Sequence, residues 1–413
     1  METEDEIFLA SITGEDKPGV TSSLAAIIAN NGASILDIGQ ADIHNSLSLG
    51  ILIKSPQTVS GNIMKEMLFK SNELGVQVRF SPVTNDAYTQ WVSLQGKNRY
   101  IITLLGRKIS AHLIAAVSSV LADQGLNIDA INRLTGRVPL NEGTSKTGKT
   151  KACVEMSVRG TPKDKNHLQA EFMRLSQELG YDISFQEDNL FRRNRRLICF
   201  DMDSTLIETE VIDELAMRAG VGDEVKAITE SAMRGEIDFC ESFKRRVSLL
   251  KGLDESVMQE IAQNLPITEG AARALKILKQ YGYKIAILSG GFTYFGNYLK
   301  NKFNIDYVYA NELEIVDGKL TGNYVGDIVD GKRKAELLRL IAQIEHLDLQ
   351  QVIAVGDGAN DLPMLNIAGL GVAFHAKPKV KENAKQSISS IGIDGVLYML
   401  GFKDSYIEET KNV

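Results

Sequence analysis

The sequence predicts an α/β protein in three parts: two small α+β units of βαββαβ order, then a larger parallel sheet with a helical cap inserted after its first strand. Three observations lead there. The order of elements before residue 90 recurs between residues 97 and 190. From Leu197 onward, short continuous apolar runs alternate with helical stretches, the pattern of parallel strands covered on both faces. Between Glu210 and about Leu265 that alternation gives way to helix alone. The boundaries drawn are 1–88, 97–190 and 191–413, with the cap at about 208–268.

In the first unit the alternating run Ile7 to Thr13 is a strand, and a helical pattern follows that ends at Asn31-Gly32. Ala33 to Ile43, a turn at Asn45, and a run to Lys54 give two more strands; a helix from about Val59 to Leu74 and a strand from Val76 to Phe80 close the unit. The second unit repeats this with a strand at Tyr100 to Leu105 and a helix at Ser110 to Gln124, and LNIDAI after Gly125 stands where ASILDI follows Gly32. A polar insertion, Arg137 to Lys151, reads as an exposed flexible loop. Ala152 to Arg159, a helix from about Lys163 to Leu179, and Tyr181 to Gln186 complete the copy. In the third part LICF, KIAILS, VIAV and LGVAF are the parallel strands, and Val211, Ile212, Leu215, Ala216 and Ala219 share one face of the first cap helix.

Composition narrows the function. The formal charge of the 413 residues is −7, and division at residue 190 leaves both parts mildly acidic, so neither nucleic acid nor a membrane surface is an expected partner. The dense basic cluster Arg192, Arg193, Arg195 and Arg196 reads as a solvated linker. Three scattered cysteines form neither a disulfide framework nor a zinc site, and five histidines form no His-x-x-x-His pair. METEDEIF has no apolar core for a signal peptide, and no run reaches the ~18 apolar residues of a membrane span. A cytoplasmic protein is expected, with its chemistry resting on carboxylates, lysines and hydroxyls.

Such groups gather at strand ends. Asp201 and Asp203 follow LICF; at i and i+2 they approach the same space at the carboxyl end of a parallel strand, where open sheets place ligands. Paired carboxylates need a cation, and hard oxygen donors beside a phosphate favour Mg²⁺. Ser289-Gly290-Gly291 after KIAILS can hold phosphoryl oxygens. Gly331-Lys332-Arg333-Lys334 opens a helix and offers a lysine, with Lys332 and Lys334 both open by spacing. Gly356-Asp357-Gly358-Ala359-Asn360-Asp361 after VIAV adds two acids in a glycine-rich loop. Each alone is an ordinary turn, helix start or cap. All four in this order, each after the right local element, are not.

Residues 197 to about 400 thus resemble the Rossmann-like haloacid dehalogenase superfamily of phosphatases: DMDST matches its first motif, SGG the second, the lysine region the third and GDGAND the fourth. The resemblance implies that Asp201 is the nucleophile and Asp203 the general acid and base, and that Mg²⁺ is held by Asp201, Asp357 and the Asp203 backbone carbonyl. Ser289, Gly290, Lys334 and Asn360 are then expected on the phosphate, with Asp361 supporting the lysine or metal waters. Glu210 and Arg246 match positions that meet an amino group and a carboxylate, which points to phosphoserine as substrate and to the last step of serine synthesis. Alternatives are another small phosphomonoester or an amino-acid sensor. Met233 and Phe239 are candidates for the apolar wall of the cap, with core packing as the ordinary reading. The two leading units are similar to ferredoxin-like ACT domains; GEDKPGV at Gly14 to Val20 matches their ligand loop, whereas GRKISAHL in the second lacks the Pro-Gly. That resemblance implies a serine effector, a homodimer, and a fragment from about Arg192 that keeps its hydrolytic activity.

Overall fold

Alternating burial lays out the first sheet: Phe8, Ala10 and Ile12 of β1 (Asp5–Glu15) point into a core that their neighbours along the strand do not reach. β2 (Ser34–Ile43), β3 (Ser46–Pro56) and β4 (Val76–Val83) complete an antiparallel sheet of order β2-β3-β1-β4. Leu24 and Ile28 of helix Val20–Asn30, and Ile63 and Met67 of helix Gln57–Leu74, cover one face. A helix at Asn85–Ser93, not foreseen, follows β4 and is capped by Thr84, whose Oγ1 accepts from the Ala87 amide. The computed structural model describes residues 5–94, 98–137 and 150–408, apart from the Met233 side chain.

The second βαββαβ unit has the same order, β6-β7-β5-β8, from β5 (Arg99–Gly106), β6 (Asn127–Arg133), β7 (Ala152–Arg159) and β8 (Asp182–Glu187). Most of the loop expected at Arg137 to Lys151 lies outside the described residues. One difference from the first unit matters. Tyr100, Ile102 and Leu104 face the helices, but Ile101, Thr103 and Leu105 on the other face are buried too. Leu105, Leu134 and Cys153 join the same apolar core as Ile198, Phe200 and Tyr398.

Buried polar contacts reinforce that seam. The Asp182 carboxylate, 2% exposed, accepts from the amides of Ser389 and Ser390, each at 2.8 Å, and from the Ser390 hydroxyl at 2.6 Å. The Gln386 side chain accepts from the Phe185 amide and donates to the Phe185 carbonyl, bridging β8 to the neighbouring sheet. The solvated reading of the arginine cluster is corrected here: Arg192 and Arg195 are buried, Arg192 pairs with Glu155 at 2.7 Å, and Arg195 donates to Gln186. Burial, then the charge of Arg192, pushes the Arg195 guanidinium down to about 10.

The chain therefore forms two compact units, residues 1–97 and 98–413, and the second βαββαβ copy belongs to the latter. This alters the expectation for a fragment starting near Arg192, which would bare the apolar seam and leave Ser389, Ser390 and Glu269 without Asp182 and Arg107. Such a fragment should aggregate or bind a hydrophobic dye, whereas one starting at Asn98 should unfold cooperatively; a thermal melt of each separates the outcomes.

The larger sheet has the order β12-β11-β10-β9-β13-β14-β15. Its strands are β9 (Leu197–Phe200), β10 (Lys284–Phe292), β11 (Tyr307–Val316), β12 (Lys319–Val325), β13 (Val352–Gly356), β14 (Leu370–Phe374) and β15 (Gln386–Ile388). All pairings are parallel except β11 with β12. Along β9, Ile198 and Phe200 enter one core while Leu197 and Cys199 enter that on the opposite face, which explains the unbroken apolar run. Helices Val211–Ala219, Gly222–Met233, Phe239–Ser248 and Ser256–Gln263 form the cap. Two short connectors join it to the sheet, with Ile207 facing Ile267 in an antiparallel bridge.

Candidate active site

β9 is central, paired to β10 on one side and β13 on the other, so the loops leaving these three strands share one end of the sheet. Asp201 leaves β9, Ser289 lies in β10, and Asp357 follows β13. Lys334 comes in from the first turn of helix Gly331–Ile344, which Asp330 caps by accepting from the Arg333 amide.

Lys334 is fully buried, and its Nζ lies 2.9 Å from Asp201 Oδ1 and 2.7 Å from Asp361 Oδ1. Burial alone would lower its pKa, but the two carboxylates reverse this and hold it above the usual lysine range. Lys332 is exposed, so of the two lysines the fold brings only Lys334 into the cluster. Asp361 Oδ2 accepts from the Gly358 amide at 2.9 Å, which leaves this carboxylate bound on both oxygens.

Asp203 faces a different side of the space. Its Oδ1 accepts from the Val211 amide at 3.0 Å, and Ser289 Oγ stands 3.5 Å from Oδ2. Gly291 is required here, because a Cβ would sit 2.3 Å from Asp203 Oδ2. Burial first, then the charge of Glu210, pushes the Asp203 carboxyl up to about 8. Burial and the charge of Asp361 raise Asp357 to about 7, and burial with Asp361 raises Asp201 well above the carboxylate range.

Asp201, Asp357 and Asp361 each offer an oxygen within 4.8 Å of the others. Clustered, buried, hard oxygen donors that push one another up fit a divalent cation. Asp361 has both oxygens committed, to Lys334 and Gly358, whereas Lys334 and Thr205 occupy only Oδ1 of Asp201 and of Asp357 and leave Oδ2 of each to a cation. The Asp203 carboxylate, held by Val211, is not among these three clustered acids. In the metal-free protein these raised acids bind more protons folded than unfolded, so stability should fall as pH rises from about 4 toward about 8. Divalent cation should raise the melting temperature more at pH 8 than at pH 5; an equal rise at both would contradict a carboxylate site.

The cap supplies the remaining groups. Glu210 is exposed, and its Oε1 accepts from Ser204 Oγ at 2.8 Å; Ser204 takes a left-handed φ of 54° beside Asp203. Arg246 is half-buried on helix Phe239–Ser248 and makes no ion pair among the described residues, its Nε pointing to the Ser242 carbonyl at 3.4 Å. Burial lowers its pKa while the charges of Glu210, Asp213 and Asp203 oppose this, so the guanidinium lies within electrostatic reach of those acids. The Phe239 ring lies over Gly290, where a Cβ would come 3.0 Å from Cζ; the Met233 side chain is outside the described residues. Asn360 is half-buried in the loop after β13.

Two supports were not singled out in the sequence. Thr205 Oγ1 donates to Asp357 Oδ1 at 3.1 Å, tying the first loop to the last. Buried Asn311 donates to the Gly290 carbonyl at 2.7 Å and accepts from the Val329 amide at 2.8 Å, holding the Ser-Gly-Gly turn. Thr205 lies inside the DMDST run, but Asn311 lies in a strand that shows no motif.

This fold and site define a haloacid dehalogenase-like hydrolase, and that family matches residues 195–369. ACT domains match residues 6–81 and 99–186. Phosphoserine phosphatase SerB2 of Mycobacterium tuberculosis is 38% identical over 402 residues, 97% of this chain and 94% of that one. The phosphoserine phosphatase of Streptomyces coelicolor is 37% identical over 401 residues, 97% and 93% of the two chains. A crystal structure of a probable phosphoserine phosphatase from Vibrio cholerae superposes with a TM-score of 0.58 at 34% identity, covering 73% of this chain and 86% of that one. The chain belongs to the phosphoserine phosphatase family, and it is a phosphatase.

Proposed function

We propose that this enzyme hydrolyses O-phospho-L-serine to L-serine and phosphate through an aspartyl phosphate on Asp201. The observation that carries the substrate is Arg246. A half-buried guanidinium within electrostatic reach of Glu210 and Asp203, with no carboxylate pairing it among the described residues, suits an incoming α-carboxylate. Glu210, on the same rim, suits the α-amino group.

An Asp201 carboxylate oxygen attacks phosphorus as the bond to the seryl oxygen breaks, and Asp203 gives that oxygen its proton. A carboxyl raised to about 8 carries this proton at neutral pH. Water then attacks phosphorus, passes a proton back to Asp203, and releases Asp201 and phosphate. Lys334, the Ser289 hydroxyl and the Gly290 amide face the phosphoryl charge, and Asn360 orients the group. Mg²⁺, which Asp201, Asp357 and the Asp203 carbonyl would hold, supplies further neutralisation of the phosphoryl oxygens when bound. Asp361 keeps Lys334 in place.

The experiment on Arg246 tests the substrate. Arg246→Ala should raise the phosphoserine KM and lower kcat/KM by about 1.5–3 kcal/mol, the scale of a charged hydrogen bond. An aryl phosphate has no carboxylate to lose and should be affected little. Equal losses on both substrates would assign Arg246 to chemistry or cap folding.

β2 and β6 are edge strands exposed along nearly their whole length, and they carry the exposed Ile38, Ile43 and Ile131. Such edges support a homodimer formed by strand pairing. The candidate serine effector belongs at Gly14 to Val20, where Gly19 takes φ 98° and helix Val20–Asn30 starts with no side-chain cap. Three free cysteines suit the cytoplasm.

A further inference from the structure

The helical cap meets the sheet at two ends: on the β11–β12 hairpin, where Asp254 bridges Lys319, Gly252 N donates to Leu320 O at 2.8 Å and Phe243 packs on Tyr324 and on Phe292 of β10, and at its connectors. Its two connectors share one bridge, Ile207 to Ile267, with Glu208 N donating to Pro266 O at 2.9 Å and Thr268 N to Leu206 O at 3.1 Å. At this connector end, two backbone hydrogen bonds fix the entering and returning segments only weakly by themselves. The residue that ends the returning connector is Glu269, and it is gripped from outside the phosphatase fold. Arg107, in the loop between β5 and the helix Ala111–Asp123, donates from both terminal nitrogens to the two Glu269 oxygens, each at 2.9 Å. The Glu269 carbonyl accepts from the Ile393 amide at 2.9 Å, so side chain and backbone are pinned from opposite sides. One turn on, Arg273 binds Asp394 and Asp404 at 2.8 Å, and Lys151 binds Asp394 as well.

We propose that Arg107 is a positioning residue for the phosphatase reaction: through Glu269 it sets the returning connector, and so the place of Glu210 and of the Val211 amide beside Asp203. The link is short. Ile267 faces Ile207, and the chain from Ile207 runs in three residues to Glu210 and in four to Val211, whose amide holds Asp203. A bidentate guanidinium–carboxylate fork fixes direction as well as distance, which a single lysine contact would not. The second βαββαβ unit thereby acts on the placement of these groups while supplying none to the substrate. This rests on the phosphoserine reading for its choice of substrates.

The test uses the full chain. Arg107 and Glu269 are part-exposed, so their variants should fold. Arg107→Ala should raise the phosphoserine KM about fivefold, as loss of a part-exposed fork permits, with the KM for an aryl phosphate changing less than about twofold. Arg107→Lys should fall between the two. Arg107→Glu should be worse than alanine, and the swap Arg107→Glu with Glu269→Arg should recover at least half of the lost kcat/KM. A purely structural pair would lower the melting temperature and weaken both substrates alike; that result, or an unchanged phosphoserine KM, would overturn the proposal. A wild type that hydrolyses the aryl phosphate but not phosphoserine would defeat the substrate reading alone. Hydrogen exchange then decides: faster exchange of amides 206–210 and 267–270 in Arg107→Ala supports the clamp, and equal rates refute it.

Discussion

Asp201→Asn should cut phosphoserine turnover by about 10⁴-fold or more while the protein stays folded. The amide is nearly isosteric, so the cluster keeps its shape, but its oxygen is no nucleophile and no aspartyl phosphate can form. The amide oxygen can still accept from Lys334, which stands 2.9 Å from Oδ1 in the native protein. Asp201 is also one of several buried acids that raise one another's pKa, so removal of its charge relieves repulsion. The melting temperature of the metal-free variant should therefore equal or exceed that of wild type. Phosphate release and a thermal melt on one preparation give both numbers. Activity near wild type, with mass spectrometry excluding deamidation, would sink the covalent route.

Lys334→Met should have the largest effect on stability. It leaves the Asp201 and Asp361 carboxylates, both at least nine-tenths buried, without their cation. Breaking a buried pair from one side costs about 3–5 kcal/mol, because the surviving charge has lost its compensation. Urea unfolding in chelator should show that loss, and saturating divalent cation should recover part of it by neutralising the same oxygens. Turnover should fall as well, since the lysine faces the phosphoryl charge. Lys332→Met, two residues away on the opposite, exposed face of the helix, should change neither quantity. If Lys332→Met were the damaging variant, the placement of the lysine would be wrong.

The parallel sheet, though not its strand order, was legible from LICF, KIAILS and VIAV because strands covered on both faces must be apolar throughout, and each acidic or glycine-rich stretch after them marks a strand end. The β11–β12 hairpin was not legible: it is an edge with half-exposed, mixed residues, so neither period nor continuity marks it. Spacing also left Lys332 and Lys334 open, and burial between two carboxylates separates them. The larger miss was the seam. β5 is buried at every residue after Arg99, whereas burial along β1 alternates. Yet IFLA in β1 is as apolar as YII in β5, so composition did not show that a second face needs cover, and the shared βαββαβ order drew the two units together as equals. Arg192 and Arg195 misled for a related reason. A run of arginines looks solvated unless its acceptors are known, and Glu155 and Gln186 are distant in sequence.

Phosphate release from O-phospho-L-serine, phosphoethanolamine and 3-phosphoglycerate, each with Mg²⁺ and with chelator, bears most directly on the central claim. The second substrate lacks the carboxylate that Arg246 would meet, and the third lacks the amino group assigned to Glu210. The site described here predicts that kcat/KM for phosphoserine exceeds that for either by about tenfold or more, since each loss strands a charge built to be paired. Release should cease in chelator. Similar rates on all three esters, or hydrolysis indifferent to chelator, would contradict it.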